Sequence, residues 1–251
     1  MTLIDLHCHI LPGVDDGAGS LEEALEMARR AVADGIGVMA ATPHLPIPGG
    51  ALPTAVETGR AVGRLQAHLD QAAIPLRLVC GAEVHLTPAA VRRAVAGELT
   101  TLNESRYLLV DFPAMSPPAG LLQALRKLRR AGLVPVIAHP ERYLWIQADG
   151  TRLEAMVAMG CLAQVTAMSI TGHFGYGAMR CAHELLARRL VHVVASDGHN
   201  PTGRSPKLGP ALSWVAPILD DPEEAEAMFV HRPAAIIEDR SLEELEVQAV
   251  G

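Results

Sequence analysis

The chain has 251 residues, of which 49% are hydrophobic and 20% charged, with a formal net charge of −7. A chain of this length buries roughly three quarters of its unfolded surface, so it is neither disordered by composition nor dependent on disulfides for a core. The acidic balance argues against a nucleic-acid-binding face, and no run approaches the ~18–20 apolar residues of a membrane span. The start Met1-Thr2-Leu3-Ile4-Asp5 lacks the basic segment of a signal peptide. Cys8, Cys80, Cys161 and Cys181 form no CxxC pair, which fits a reduced, cytoplasmic protein. Eleven histidines against eight aromatic residues is the unusual feature.

In chain order, short apolar runs alternate with helical segments, the pattern of strand–helix units around a parallel sheet in one domain spanning 1–251. The first run, 3–9, is followed by Ser20-Leu21-Glu22-Glu23, which reads as a capping box. Leu21, Leu25, Ala28 and Val32 then recur at helical spacing before Gly35. Run 37–44 precedes a second box at Thr54-Ala55-Val56-Glu57, with Val62, Leu65 and Leu69 as its buried stripe. Runs 76–85 and 107–112 follow, then a helix with Leu121, Leu125 and Leu128 before Gly132. Run 134–139 leads to a helix with Leu153, Met156 and Val157; run 161–166 leads to one with Met179, Ala182 and Leu186. Run 191–197 is the seventh. Asp221-Pro222 reads as a cap with proline at the first helical position, and 241–246 as a solvated last helix or a contact surface. Near-continuous apolar runs suit strands buried on both faces.

Six of the seven runs stop at an ionisable residue: His9, His44, Glu83, Asp111, His139 and Asp197, with Thr166 as the exception. The ends lie 27–39 residues apart, room for one strand–helix unit each. In parallel α/β architectures these ends converge on the active site, in open sheets and barrels alike, and a closed barrel explains the convergence better. Burying ionisable groups unpaired costs several kcal/mol, so they must pair with each other or with metal. Mixed nitrogen and carboxylate donors suit Mn, Fe or Zn. His7 and His9, two apart, project to one face of a strand and can grip one ion.

Read together, His7-Cys8-His9, Pro12-Gly13-Val14-Asp15-Asp16-Gly17, Thr42-Pro43-His44, Gly81-Ala82-Glu83, Asn103-Glu104-Ser105-Arg106-Tyr107, Ala138-His139-Pro140-Glu141-Arg142-Tyr143 and Ala195-Ser196-Asp197-Gly198-His199-Asn200 resemble the PHP (polymerase and histidinol phosphatase) superfamily. More narrowly, they resemble its manganese-dependent protein-tyrosine-phosphatase branch of capsule and exopolysaccharide operons. The resemblance implies a distorted seven-stranded (β/α) barrel with three divalent metals, manganese foremost and iron or zinc as alternatives. It implies that His7, His9, Glu83 and Asp197 hold the first ion, and that Glu83, Asp111 and His139 hold the second. Asp16, His44 and His199 would hold the third. Arg142 and Arg204 occupy the positions of phosphate-binding arginines. Two positions depart from the pattern: Gln164-Val165-Thr166 stands where relatives commonly show Asn near Thr166, and Leu45 follows His44 where many have a second histidine.

Four carboxylates against three divalent ions leave a positive pocket that attracts a phosphate dianion despite the acidic chain. Metal-bound water has its pKa lowered to about 7, supplying hydroxide for attack on phosphate, and the arginines hold the phosphoryl oxygens. A phenolate leaving group, with pKa about 10, needs little acid assistance. The thiolate route is excluded because no cysteine has Arg six residues later. Phe112, Tyr143, Trp145, Phe174 and Tyr176 follow strand ends and could wall a slot for the ring or pack under loops. Asp15 and Glu141 read as supports rather than ligands; His85 and His173 could line the site. The implied substrate is a phosphotyrosine protein, a tyrosine autokinase of polysaccharide assembly. The rivals are a small-molecule phosphatase acting on histidinol phosphate and a metal-binding regulatory module without turnover.

Overall fold

A computed structural model describes residues 1–45 and 54–242; most of the acidic stretch 241–246 lies outside the described residues. Among these residues the strands are β1 (Leu3–Cys8), β2 (Ile36–Ala41), β3 (His44–Leu45), β4 (Arg77–Cys80), β5 (Glu83–His85), β6 (Tyr107–Asp111), β7 (Val134–Ala138), β8 (Leu162–Thr166) and β9 (Val193–Ala195). All pairings are parallel, in one sheet of order β1-β2-β4 and another of order β3-β5-β6-β7-β8-β9.

The expected seven runs thus appear as nine strands, because two of them are broken. Run 37–44 divides into β2 and β3 at Pro43, which has no N–H to donate to a ladder. Run 76–85 divides into β4 and β5 at Gly81-Ala82. A Cβ at Gly81 would meet Thr42 Cγ2 at 2.8 Å and Leu102 Cδ2 at 3.1 Å. The Thr42 and Leu102 side chains fill the space that a side chain here would need. Single hydrogen bonds carry the chain across the breaks: Thr42 N donates to Cys8 O (3.0 Å) and Glu83 N to Pro43 O (3.0 Å). On its other side β1 meets the segment after β9, where Asp197 N donates to His7 O and His9 N to Gly198 O, both at 2.8 Å.

The helices are α1 (Leu21–Ala33), α2 (Ala55–Gln71), α3 (Pro88–Val95), α4 (Leu121–Arg130), α5 (Leu144–Ala148), α6 (Thr151–Val157), α7 (Ala167–Ile170), α8 (Tyr176–Ala187), α9 (Gly209–Leu219), α10 (Pro222–Phe229) and α11 (His231–Ile237). At α2, Thr54 Oγ1 and the Glu57 side chain cap each other's backbone, and Val62, Leu65 and Leu69 are buried as expected. At α1 the box is only half formed: Ser20 accepts from Glu23 N, while Glu23 Oε2 takes Gly19 N at 2.8 Å. Its buried face is Ala24, Met27, Ala28 and Ala31, with Leu21, Leu25 and Val32 on the flanks. Asp221 accepts from Glu224 N with Pro222 at the first helical position of α10.

Alternate strand residues enter two different apolar clusters. In β6, Leu108 and Val110 join one while Tyr107 and Leu109 join the other; in β8, Ala163 and Val165 oppose Leu162. This two-sided burial is what the uninterrupted apolar runs require. It leaves most polar chemistry to the strand ends and the loops after them, with Asp5 of β1 and Gln164 of β8 as buried polar residues within strands.

Candidate metal and phosphate site

Strand β1 delivers Asp5, His7 and, just beyond its end, His9. The His7 and His9 Nε2 atoms lie 3.1 Å apart. Glu83 Oε2, from the start of β5, is 3.4 Å from both, and Asp197 Oδ1, just after β9, is 3.5 Å from both. These four buried side chains meet around one point. A second group forms beside it: Asp16 Oδ1 lies 3.2 Å from His44 Nε2 and 3.4 Å from His199 Nε2, with His9 within the same cluster. On the far side of Glu83, His139 Nε2 reaches Oε1 at 2.7 Å. Asp111 lines the same cavity, but its carboxylate is held by His85 Nδ1 at 3.1 Å rather than meeting His139. All nine sequence-derived ligand residues therefore surround one region, and His9 serves both tight groups.

The outer nitrogens of three of these imidazoles are already engaged, while His139 Nδ1 is buried without a partner. His7 Nδ1 faces Gln164 Oε1 (2.8 Å), His9 Nδ1 faces Asp15 Oδ2 (2.8 Å) and His199 Nδ1 donates to Asp197 O (2.9 Å). Such contacts orient a ring and aim its Nε2 at an ion. Asp15 also accepts from His44 N and Gly17 N, so it ties the loop to the site, as expected of a supporting residue. Gly17 is required there because a Cβ would stand 2.0 Å from His9 O. Glu141, wholly buried, accepts from Thr166 N and Ser169 Oγ and is likewise a support.

Two supports escaped the sequence reading. Gln164 occupies the unusual β8 position and holds His7. Asp5 is fully buried and accepts from His7 N, Ser196 N and Ser196 Oγ, which locks β1 to the segment bearing Asp197. Burial raises its pKa to about 6, against those three bonds. Its signal was present, since Asp5, His7 and His9 share strand parity.

The electrostatics are those of a concentrated ion site. Burial opposes ionisation of Glu83, yet the surrounding imidazoles of His7, His139 and His44 hold it well below the carboxylate range. Asp197 is similarly depressed, burial being outweighed by His7, His9, His139 and Arg204. His7 is raised: burial works downward, but Glu83 and Asp197 prevail. His199 falls to about 4 through burial and the neighbouring His9.

This donor set fits divalent metal. Glu83 Oε2 has no hydrogen bond although three imidazole nitrogens lie 2.9–3.4 Å away. With Nδ1 of each ring turned to an oxygen acceptor, the two neutral rings of His7 and His9 direct Nε2 lone pairs at each other across 3.1 Å, an arrangement that a cation between them relieves.

Above the cluster is a cavity of about 300 Å3, lined by Asp16, His44, Glu83, Asp111, Phe112, Ala114, His139, Arg142, Tyr143, Asp197, His199 and Arg204. Arg142 Nη1 and Arg204 Nη2 converge on Asp197 Oδ2 at 2.5 and 2.6 Å. Both guanidinium groups lie over the Phe174 ring, 4.6 and 5.5 Å from its centroid. Tyr143 is buried, stacks on Trp145 at 5.3 Å and accepts from Phe112 N; Trp145 Nε1 donates to Pro113 O. Trp145 is thus a packing residue, Tyr176 is 73% exposed, and Phe112, Tyr143 and Phe174 remain near the cavity. All four cysteines are free, and burial pushes Cys161 and Cys181 up to about 12, so none is poised as a nucleophile.

Residues 3–238 match the family model described as capsular polysaccharide synthesis, CpsB/CapC. The chain belongs to this family. It is 37% identical over 206 residues to the tyrosine-protein phosphatase YwqE of Bacillus subtilis, covering 81% of this chain and 80% of that one. It is 31% identical to the tyrosine-protein phosphatase CpsB of Streptococcus pneumoniae, covering 95% and 99%. The fold superposes with a TM-score of 0.90, at 32% identity and 95% and 96% coverage, on a chain from the crystal structures of YwqE and CpsB, described as unique metal-dependent tyrosine phosphatases. Membership in the family accords with the ordered motifs from His7 to Arg204. No helix among the described residues is long and apolar enough to cross a membrane.

Proposed function

We propose that the protein is a metal-dependent protein-tyrosine phosphatase whose substrate is a phosphotyrosine protein of capsular or exopolysaccharide synthesis, a tyrosine autokinase. The observation that carries this reading is the meeting of nine nitrogen and carboxylate ligands with two arginines around one cavity. Its relatives YwqE and CpsB bear the name tyrosine-protein phosphatase, and the same arrangement serves that chemistry here. In this reading the two sheets are parts of one distorted seven-stranded (β/α) barrel of PHP type forming a single domain over 1–251. The breaks at Pro43 and Gly81 and the backbone bonds joining β1 to the segment after β9 support it. Four free cysteines accord with a cytoplasmic site of action.

His7, His9, Glu83 and Asp197 would hold one ion, Glu83, Asp111 and His139 a second, and Asp16, His44 and His199 a third, with manganese the preferred metal. Bound there, divalent ions supply a nucleophile at neutral pH and Lewis-acid stabilisation of phosphoryl charge. The chain's own groups perform the rest. Arg142 and Arg204 present planar N–H forks to the phosphoryl oxygens and stay protonated throughout. Their shared anchor, Asp197 Oδ2, and the Phe174 ring beneath them hold both forks over the cavity before substrate arrives. Phe112, Ala114 and Tyr143 offer an apolar wall for the tyrosine ring. The phenolate departs with little acid help, as its conjugate acid has a pKa of about 10.

The test is hydrolysis by the purified, manganese-loaded protein of a phosphotyrosine peptide and of histidinol phosphate, assayed in parallel. Preference for the peptide, lost with chelator and in Arg142→Ala and Arg204→Ala, is the expected result. Preference for histidinol phosphate would transfer the assignment to the small-molecule branch, and no metal-dependent turnover would leave a binding module.

A further inference from the structure

A second cavity, of about 170 Å3, has a lining that combines polar and apolar residues. Its polar lining includes Thr171, His173, Thr202, Ser205 and Lys207, and its apolar lining includes Met168 and Pro210. The two cavities share their loops. Arg204 stands between Gly203 and Ser205, and His173 precedes Phe174, the ring beneath both guanidinium groups.

Three features show that this cavity is equipped for a ligand. Ser205 is only 8% exposed, and its hydroxyl is buried with no hydrogen-bond partner. A buried hydroxyl left unmade is costly, so a group that completes it is favoured. Lys207 is exposed and forms no ion pair among the described residues, unlike Arg142 and Arg204, which share Asp197. Finally, no carboxylate lines this cavity, although the chain as a whole carries −7. The nearby Asp34 is committed elsewhere, accepting from Leu208 N and Gly209 N at 2.6 and 2.8 Å.

We propose that the second cavity receives the side chain of an acidic residue flanking the phosphotyrosine in the protein substrate. The inference rests on the phosphatase reading above. A substrate whose phosphoryl group reaches Arg142 and Arg204 runs its adjacent chain over Phe174 into this opening. The carboxylate then meets the Lys207 ammonium and the Ser205 hydroxyl, and its methylene groups lie against Met168 and Pro210. The cavity holds one side chain, which matches a glutamate or aspartate better than a second phosphorylated ring. Lys207 and Ser205 are thereby specificity-determining positions, remote from the reacting phosphorus.

The test is a set of phosphotyrosine peptides with Glu, Gln or Lys substituted singly at each flanking position, assayed on manganese-loaded full-length protein and on its Lys207→Gln and Ser205→Ala variants. The wild type should favour Glu over Gln at one position by about threefold to tenfold in KM with kcat unchanged, the size of one partly exposed charge-assisted contact. Lys207→Gln should erase that preference and leave hydrolysis of p-nitrophenyl phosphate as in the wild type. Peptides hydrolysed without any preference for Glu, or a preference that survives Lys207→Gln, overturn the subsite but not the phosphatase. Failure to hydrolyse any phosphotyrosine peptide removes the phosphatase reading, and the subsite with it.

Discussion

At the scale of single residues, the site depends on side chains that never touch an ion. Gln164 and Asp15 engage the outer nitrogens of His7 and His9, so each fixes a tautomer and an orientation. Gln164→Leu or Asp15→Asn should weaken manganese binding by about 10–100-fold. Calorimetric titration of metal into each variant reads this directly; wild-type affinity would show that the rings are held by packing alone. Arg204→Lys keeps the charge but loses the planar guanidinium whose Nη2 donates to both Asp197 Oδ2 and Asp197 O. Its kcat on a phosphotyrosine peptide should fall by about 10²-fold, the loss typical of one preorganised donor. A variant as fast as the wild type would indicate that only charge is required there.

At the scale of elements, apolar periodicity was a reliable guide where one helix face meets one sheet. Leu121, Leu125 and Leu128 of α4 are buried in the order that their spacing predicts, and Leu125 is fully enclosed. Leu125→Ala should cost about 2–5 kcal/mol in denaturant unfolding, as for other large-to-small core changes. In α1 the stripe Leu21, Leu25, Ala28 and Val32 includes one fully buried residue, Ala28, while the other three lie part-buried at the edge of the core. Ala24, Ala28 and Ala31 with Met27 pack inward because the close contact with the sheet admits small residues, and the bulkier Leu21, Leu25 and Val32 flank it. Helices α3, α5, α7, α9 and α11 were not placed at all. Those like α5 and α7 have only 5 and 4 residues, too short for a 3.6-residue period to register.

At the scale of the whole molecule, ions held at the proposed site would couple metal binding to folding. Glu83, Asp197 and the histidines around them arrive from distant parts of the chain, so ions that join them stabilise only the folded state. Chelation should lower Tm, and manganese should restore it in a concentration-dependent manner; a Tm indifferent to both would mean that the site forms without ions. A second global dependence comes from His192, at the opposite end of β9 from Asp197, whose Nδ1 accepts from Ala163 N. Burial, aided by Arg232, lowers its pKa from 6.5 to about 4. Between those values the unfolded chain takes up a proton that the folded chain refuses. Stability is therefore full above about pH 6.5 and declines as pH falls toward 4, by up to about 3 kcal/mol from this group. His192→Gln should flatten that part of the stability profile measured by urea unfolding; an unchanged slope would assign the dependence to other groups.

How much could be read before folding divides along a physical line. Alternation of apolar runs with helical stretches, and ionisable residues where those runs stop, are local properties of the chain, so the parallel α/β plan and the candidates His7, His9, His44, Glu83, Asp111, His139 and Asp197 were legible. Family motifs added Asp16, His199, Arg142 and Arg204 to them. Only the tertiary structure revealed the breaks at Pro43 and Gly81, the support from Asp5 and Gln164, the pairing of Asp111 with His85 and the unpartnered hydroxyl of Ser205. Each of these is a relation between residues distant along the chain, set by how closely two segments pack and which polar atom finds a partner. Spacing in one dimension carries no record of such distances.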